Sequence, residues 1–435
     1  MSAQSPVPRY LAVLLQGRVA AIVRKNETGS HVMTYESAWR NDPLAFPLSL
    51  SLPLAGEIHS GPVVTYYLRG LLPDREARLN AIAHEFSVSP DDPFALLAHI
   101  GEDCPGAVQF ARPERVRHLE GEGTGSIEWL STSELATILR DLRASNSDGG
   151  FASGTSQFSL PGALAKIALV WDERTRRWGR PSGRAPTTHI LKPPLKGVPH
   201  HNENEHLSLA LANQAGCAAA RSYVLHVEDE SALVVERFDR KRQGKYIARL
   251  HQEDLSQALG VNPRLKYSAE GAPSIADAVD LLRDYASDGI DEVYRLLRAI
   301  AFNWIIAGTD AHPRNYSVFI GSRGLVRLTP LYDLASALVL PTTARPKDLP
   351  FAMPVAGQKT LGDIGRKAWE TQARLLRLDP KRVIEELYQL ALDVAGAAPN
   401  LPASEKRRGV DERFATRFAS RVRARAIACA RQLAK

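Results

Sequence analysis

Apolar positions along the chain change period in a way that sorts it into elements. Between Asp291 and Gly308 they fall at Val293, Leu296, Leu297, Ile300, Ala301, Trp304 and Ile305, which predicts a helix with one buried stripe ending at Gly308. YSVFI and LVRLT follow as short strand-like runs around a GSRG turn, an antiparallel hairpin. From 159 to about 250 the runs KIALVW, THILK, SYVLHV, ALVVERF and YIARL predict strands. One helix, NENEHLSLALANQAG, interrupts them, with Gly216 as its C-terminal cap. Residues 1–112 mix strand-like runs such as FPLSLSLPL, which alternates, with helical ones such as PDREARLNAIAHEF. In 113–158, GEGTGS and ASNSDGGFASGTS bracket a helix, TSELATILRDLR, and mark a connecting segment. After 251 the chain is mostly helical. The expected division is an N-terminal domain (1–112), a linker with a connecting helix (113–158), a small lobe of strands (159–250) and a helical lobe (251–435).

Composition narrows the class. A chain of 435 residues with 44% hydrophobic and 24% charged residues is ordinary for a globular protein of two or three domains. No apolar run approaches the ~18 residues of a membrane helix, so no membrane partner is expected. YLAVLLQGRVAAIV reads as strand, tight turn and strand rather than an export signal. Cys104, Cys217 and Cys429 lie far apart with no C-x-x-C pair, which argues against a disulfide framework or structural zinc and suits the cytoplasm. The net charge of +7 is uneven: Arg413 to Lys435 holds seven basic residues and no acid. Arg413, Arg417, Arg421 and Arg425 repeat on one helical face, with Phe414, Phe418 and Val422 one position on. That stripe suits nucleic-acid phosphates or an acidic partner; it equally suits a solvated face whose apolar side docks on the core.

The densest chemistry is NWIIAGTDAHPRNYSVFIGSRGLVRLTPLYDLASA, residues 303–337. A hairpin returns its end to its beginning, so Asn315 should lie near Asp333, with Asp310 on the same side. Two oxygen ligands for a divalent cation and one further carboxylate then converge, the set that phosphoryl transfer on magnesium uses. Helix capping and turn formation are the plainer use of Asp and Asn here. His312 is expected to hold the loop by hydrogen bonds rather than bind metal, because no companion histidines stand at zinc spacing. Lys192 ends THILK where a phosphate-pairing lysine belongs, with Glu205 as its ionic partner; a surface charge is the alternative. Gly162 and Lys166 stand in FSLPGALAK before a strand and could cover phosphates through backbone N–H groups, although no Walker A pattern is present. Val234 to Phe238 could edge an adenine.

These motifs carry a resemblance. LSLSLPL, LRGLLPD, FALLAHIGEDCPGAV, SLPGALAK, PTTHILKPP, Asn204-Glu205, VERFDR, HQEDLSQALG, GTDAHPRN and TPLYDLASA occur in one order along nearly the whole chain. The sequence closely resembles the HipA-type serine/threonine kinases, the toxin halves of bacterial toxin–antitoxin pairs. The resemblance implies an α+β fold: a kinase-like two-lobed core, an additional N-terminal α/β domain and an all-α C-terminal lobe. It implies ATP and Mg2+ as cofactors, Asp310 as catalytic base, Asn315 and Asp333 as metal ligands, and Lys192 as an ATP contact. Pro161, Gly162, Ala163, Leu164, Ala165 and Lys166 become the phosphate loop, and Glu236, Arg237 and Phe238 the adenine contact. His312, Pro313, Arg314 and Tyr332 join the ATP site by the same match. Ser159 matches an autophosphorylation site, where a phosphate expels the loop and silences the kinase. Implied partners are a HipB-like helix-turn-helix antitoxin, DNA through the antitoxin complex, and a protein substrate among the aminoacyl-tRNA synthetases, glutamate–tRNA ligase foremost. The loop departs from the family's usual G-A-Q-x-K at Leu164 and Ala165, and Pro161 fixes one φ angle. A small-molecule phosphotransferase and a nucleotide-sensing corepressor are the other two readings.

Overall fold

A computed structural model describes residues 7–121, 125–148, 159–244, 246–342 and 344–435. The middle of GEGTGS and most of ASNSDGGFASGTS therefore lie outside the described residues.

The first hundred residues build an antiparallel sheet in the order Ile58–Ser60, His31–Tyr35, Arg18–Lys25, Tyr10–Leu15 and Val108–Ala111. YLAVLL and RVAAIV pair across a two-residue turn in which Gln16 and Gly17 both take positive φ, 52° and 72°. Such turns match the twist of the strands they join. Pro62–Gly70 and Pro93–Ile100 lay their buried side chains into the same core as the sheet's inward face. FPLSLSLPL is a correction: it forms no strand beyond a single Ser49–Leu52 bridge. Pro47 and Pro53 remove ladder donors, and the segment instead plugs into the far lobe. The Leu50 N–H donates to Glu253 Oε1 at 2.8 Å, and the Ser51 hydroxyl to the Gln257 carbonyl at 2.8 Å.

A second sheet of six antiparallel strands runs Ser222–Val227, Glu230–Glu236, His189–Lys192, Ile167–Asp172, Arg177–Ser182 and Ser126–Trp129. Four of the expected strand runs lie in it. YIARL pairs elsewhere, with Arg240–Gln243. Residues 113–158 do more than connect: Ser126–Trp129 is the sheet's edge strand, and helix Thr132–Asp148 buries Leu135, Leu139 and Leu142 against Ile167, Leu169 and Val234. An amphipathic stripe needs an apolar partner, and this sheet face supplies it. Helix His201–Gln214 ends as expected near Gly216, whose φ of 78° lets the Cys217 N–H reach the Ala212 carbonyl at 2.8 Å.

The helical lobe surrounds Gly289–Ile306, whose residues Leu296, Ile300, Phe302, Trp304 and Ile305 are fully buried. Ile275–Tyr285, Arg366–Leu375, Pro380–Ala397 and Glu412–Ala434 contribute to the same core. Two small antiparallel sheets are set into it. Gln252–Asp254 adds a third strand to the expected hairpin Ser317–Gly321/Leu325–Leu328, and Pro350–Val355 pairs with Gln358–Thr360. The helix end differs in detail from expectation: Ala307, not Gly308, takes the left-handed conformation (φ 56°), while the Gly308 N–H returns to the Asn303 carbonyl at 2.7 Å. Gly308 is needed for space, since a Cβ there runs into the Asn303 amide oxygen.

The C-terminal arginine stripe is partly spent on structure. Phe414, Phe418 and Val422 are buried, and Arg425 donates from Nε and Nη2 to the Trp304 carbonyl at 3.2 and 2.9 Å. A cation is favoured there because Trp304 closes a helix C-terminus. Arg421 donates to the Leu338 carbonyl at 2.6 Å. Among the described residues no helix is long and apolar enough to cross a membrane.

Candidate active site

Strand His189–Lys192 ends by delivering Lys192 into the cleft between the lobes. Its ammonium bonds to Glu205 Oε1 at 2.7 Å, on helix His201–Gln214, and to Asp333 Oδ1. Burial alone depresses the Lys192 ammonium, but Asp333 and then Glu205 beside it hold it above its ordinary value. The same contact settles Asp333: burial pushes its carboxyl up, and Lys192 and Lys166 carry it well below the usual carboxylate range. Burial pushes Glu205 up. Asp333 sits at φ 54°, a left-handed conformation that Asp tolerates better than most residues. Asn204 clamps the segment that follows, exchanging two hydrogen bonds of 3.0 Å with the Ser336 backbone.

The hairpin performs the closure its spacing predicted. The Tyr332 hydroxyl donates to the Arg314 carbonyl at 2.9 Å and also bonds Ser317. The neighbours of Asn315 and of Asp333 are thus in contact. Asn315 Nδ2 donates to the Asp310 carbonyl at 2.8 Å, which orients the amide and leaves Oδ1 available as an acceptor. Asp310 is exposed, and one of its carboxylate oxygens accepts the Tyr267 hydroxyl at 2.9 Å.

The loop residues divide between the cleft and the frame. Pro313 is buried in a short 3-10 turn. Arg314 turns away from the cleft: its guanidinium is ion-paired with Asp254 (3.2 Å) and Asp74 and donates to the Gly70 carbonyl at 3.1 Å. Among the described residues the His312 ring makes no hydrogen bond to hold the loop; its Nδ1 is buried without a partner there, and burial lowers its pKa. The loop is held by backbone instead, the His312 N–H donating to the Asp310 carbonyl at 2.9 Å.

Ser159 to Lys166 lies against the N-terminal domain. The Ser159 hydroxyl is fully buried and donates to the Leu71 carbonyl at 2.6 Å. The Asp74 N–H donates to the Gly162 carbonyl at 3.2 Å. Gly162 has φ 112°, which favours glycine. Pro161 and Leu164 are half-buried, Ala163 is exposed and Ala165 is buried. The loop folds over Lys166, whose Nζ donates to the Pro161 carbonyl at 2.7 Å, its sole hydrogen-bond partner among the described residues. Burial pushes that ammonium down to about 8.

The adenine candidates separate. Glu236 is exposed, and Phe238 stands half-buried with ring centroids 5.8 Å from both Phe319 and Tyr332. Arg237 points the other way, into a buried cluster with Asp239 (2.8 Å), the Thr187 hydroxyl (2.8 Å) and Asp103 (3.5 Å). Arg240 and Arg249 meet the same Asp103 at 2.9 and 3.0 Å. Neither Arg237 nor Arg314 is therefore disposed to touch a nucleotide through its side chain. Sequence reasoning missed Asp74, Lys266 and Tyr267. Asp74 stood in LRGLLPD as a pattern residue only, and nothing in its spacing announced the 2.6 Å pair with Lys266 or the pair with Arg314.

The donor set suits a nucleotide and a hard cation. Two buried ammonium groups flank one ionised carboxylate, and Lys166 has donors to spare for phosphate oxygens. Magnesium asks for only one or two protein oxygens and completes its shell with phosphate and water; Asp333 and Asn315 can supply those two.

Known proteins point the same way. Residues 158–398 match the HipA-like C-terminal domain, and residues 11–111 match the HipA N-terminal domain. The chain is 34% identical over 368 residues to the protein named "Putative kinase Y4mE" of Sinorhizobium fredii, across 84% of this chain and 85% of that protein. It is 27% identical over 314 residues to the serine/threonine-protein kinase toxin HipA of Shewanella oneidensis, across 69% of each. A solved chain from the Shewanella oneidensis complex of HipA, HipB and operator DNA superposes with a TM-score of 0.82 over 98% of both chains, at 21% identity. That last likeness concerns the fold.

Proposed function

The chain belongs to the HipA-type kinase family, and from that premise we propose that it is a serine/threonine protein kinase toxin. It transfers the γ-phosphoryl group of ATP to a protein hydroxyl. The observation that carries the reading is the convergence of Lys192, Glu205 and Asp333 on one side of a hairpin whose other end holds Asp310 and Asn315.

When bound, ATP supplies the phosphoryl group and Mg2+ neutralises charge that builds up on it. Asp333 and Asn315 hold the metal. Lys192, kept protonated by Asp333 and Glu205, pairs with phosphate oxygens, and the Pro161–Lys166 loop covers them. Asp310 is exposed towards the acceptor side and takes the hydroxyl's proton. Phe238 and the Glu236–Arg237 backbone edge the base. Ser159 is the autophosphorylation site. In its present position the hydroxyl has no solvent exposure, so a phosphate there, carrying roughly −1.5 to −2 charges, requires the loop to leave its dock. A HipB-like antitoxin and, through it, DNA are the proposed partners, as in the Shewanella complex that shares the fold. The proposed protein substrate is an aminoacyl-tRNA synthetase, whose modification stalls translation in the cytoplasm.

Labelled ATP with magnesium, followed by phosphate mapping on Ser159 and on candidate synthetases, tests this. Asp310→Ala is expected to lower transfer by at least ~100-fold; equal labelling by wild type and variant sinks the kinase reading. Label appearing only on a small hydroxylated compound favours a small-molecule phosphotransferase. The corepressor reading is tested by capture of a small helix-turn-helix protein. It is weakened by Arg421 and Arg425, which the fold already uses.

A further inference from the structure

Among the described residues outside the nucleotide-binding set, one side chain hydrogen-bonds the carboxylate assigned as the base. Tyr267 donates its hydroxyl to Asp310 Oδ1 at 2.9 Å. The residue opens a short turn, Ser268–Glu270, that closes on Gly271 at φ 92°. Glu270 ties that turn together, accepting the Lys266 and Tyr267 N–H groups at 3.0 and 3.2 Å. Lys266 anchors it to the N-terminal domain through Asp74, at 2.6 Å, and Asp74 also pairs with Arg314 of the catalytic loop. The turn is thus fixed to the same carboxylate as the loop it covers. Its tyrosine is 42% exposed and meets the His312 ring edge-on at 6.1 Å. The phenol therefore reaches Asp310 from the solvent side, the side from which an acceptor protein must come.

A base that removes a hydroxyl proton must first accept a hydrogen bond from that hydroxyl. The phenol makes this same O–H···O contact. Its proton is held firmly, because burial and the Asp310 charge push the Tyr267 hydroxyl up to about 12. We propose that Tyr267 is an acceptor-site residue whose hydroxyl holds the acceptor's place on Asp310 until a protein hydroxyl displaces it. This rests on Asp310 being the base. In this role Tyr267 keeps water off Asp310 while the nucleotide is bound, and it admits only acceptors able to displace a phenol. The turn that carries it, through Lys266 and Asp74, makes the N-terminal domain part of acceptor selection.

The experiment compares wild type, Tyr267→Phe, Asp310→Ala and the double variant in ATP hydrolysis and in phosphorylation of casein. Tyr267→Phe retains the ring edge-on to His312 and removes only the hydroxyl. It is expected to raise ATP hydrolysis several-fold and to lower the KM for casein several-fold, with kcat for casein and KM for ATP unchanged. The double variant is expected to match Asp310→Ala, because the gain runs through Asp310. A fall in kcat with Tyr267→Phe, or no change in either reaction, overturns the place-holder role. Turnover by Asp310→Ala equal to wild type removes the base assignment instead. One readout does not depend on activity: with 3-fluorotyrosine at position 267, Asp310→Asn is expected to move its fluorine resonance. An unmoved resonance overturns the contact and the proposal with it.

Discussion

Burial depresses both Lys166 and Lys192, yet their net shifts are opposite. Lys192 has two carboxylates and stays charged. Lys166 has a carbonyl, and burial brings it down to about 8. Phosphates bind the protonated form, so above that value binding must include proton uptake. The KM for ATP is accordingly expected to rise with pH beyond about 8, by up to ~10-fold per unit, and to be flat below it. Lys166→Met, with a weaker but flat KM across the same range, is the control. A wild-type KM that stays constant through this window contradicts the assignment. At this scale the sequence was a good guide wherever a residue's role follows from its place on an element. Lys192 at a strand end with Glu205 on the next helix is such a case. It was a poor guide for His312, Arg237 and Arg314, because which way a side chain turns depends on neighbours distant in the sequence, 50 and 134 positions away for Arg237 and up to 244 for Arg314.

Elements were legible where burial imposes a period. The helix Gly289–Ile306 and the hairpin after it follow their apolar spacing closely. Arg177–Ser182 and Ser126–Trp129 were not anticipated: one carries glycine and proline, the other is a short edge strand, and neither has an apolar run. FPLSLSLPL failed in the opposite sense, since its alternating apolar pattern serves a loop wedged between domains rather than a ladder. The helix terminus offers a test. Gly308→Ala is expected to destabilise the protein by about 1–3 kcal/mol, read as a lower urea midpoint. The added Cβ must push the Asn303 side chain off the Tyr316 hydroxyl, to which it donates at 3.1 Å. A midpoint within error of wild type shows that Asn303 can move without cost.

The whole molecule is joined through groups whose charge depends on the assembly. Glu253, on the strand beside the hairpin that starts at Ser317, is fully enclosed where the N-terminal loop plugs in, and burial pushes its carboxyl from 4.5 to about 8. The folded state therefore holds a proton that the unfolded chain releases above 4.5. Stability is greatest at and below that pH as far as this group decides, and it falls by up to ~1.4 kcal/mol per unit until about pH 8. Glu253→Gln should flatten that slope, and unfolding free energies at about pH 6 and about pH 8 compare the two; parallel slopes exclude Glu253 as the cause. No sequence pattern announces such a joint, because its partners, Leu50 and Glu253, are separated by 203 positions along the chain. The Asp103 cluster has a consequence for how the gene can be cut. Asp103 is translated long before Arg237, Arg240 and Arg249, so the counter-charge is waiting when the arginines emerge. A start codon moved past it would leave three enclosed guanidinium groups facing Asp239 alone. The shortened product is expected to be cleaved faster than the full chain, which limited proteolysis of the two side by side checks.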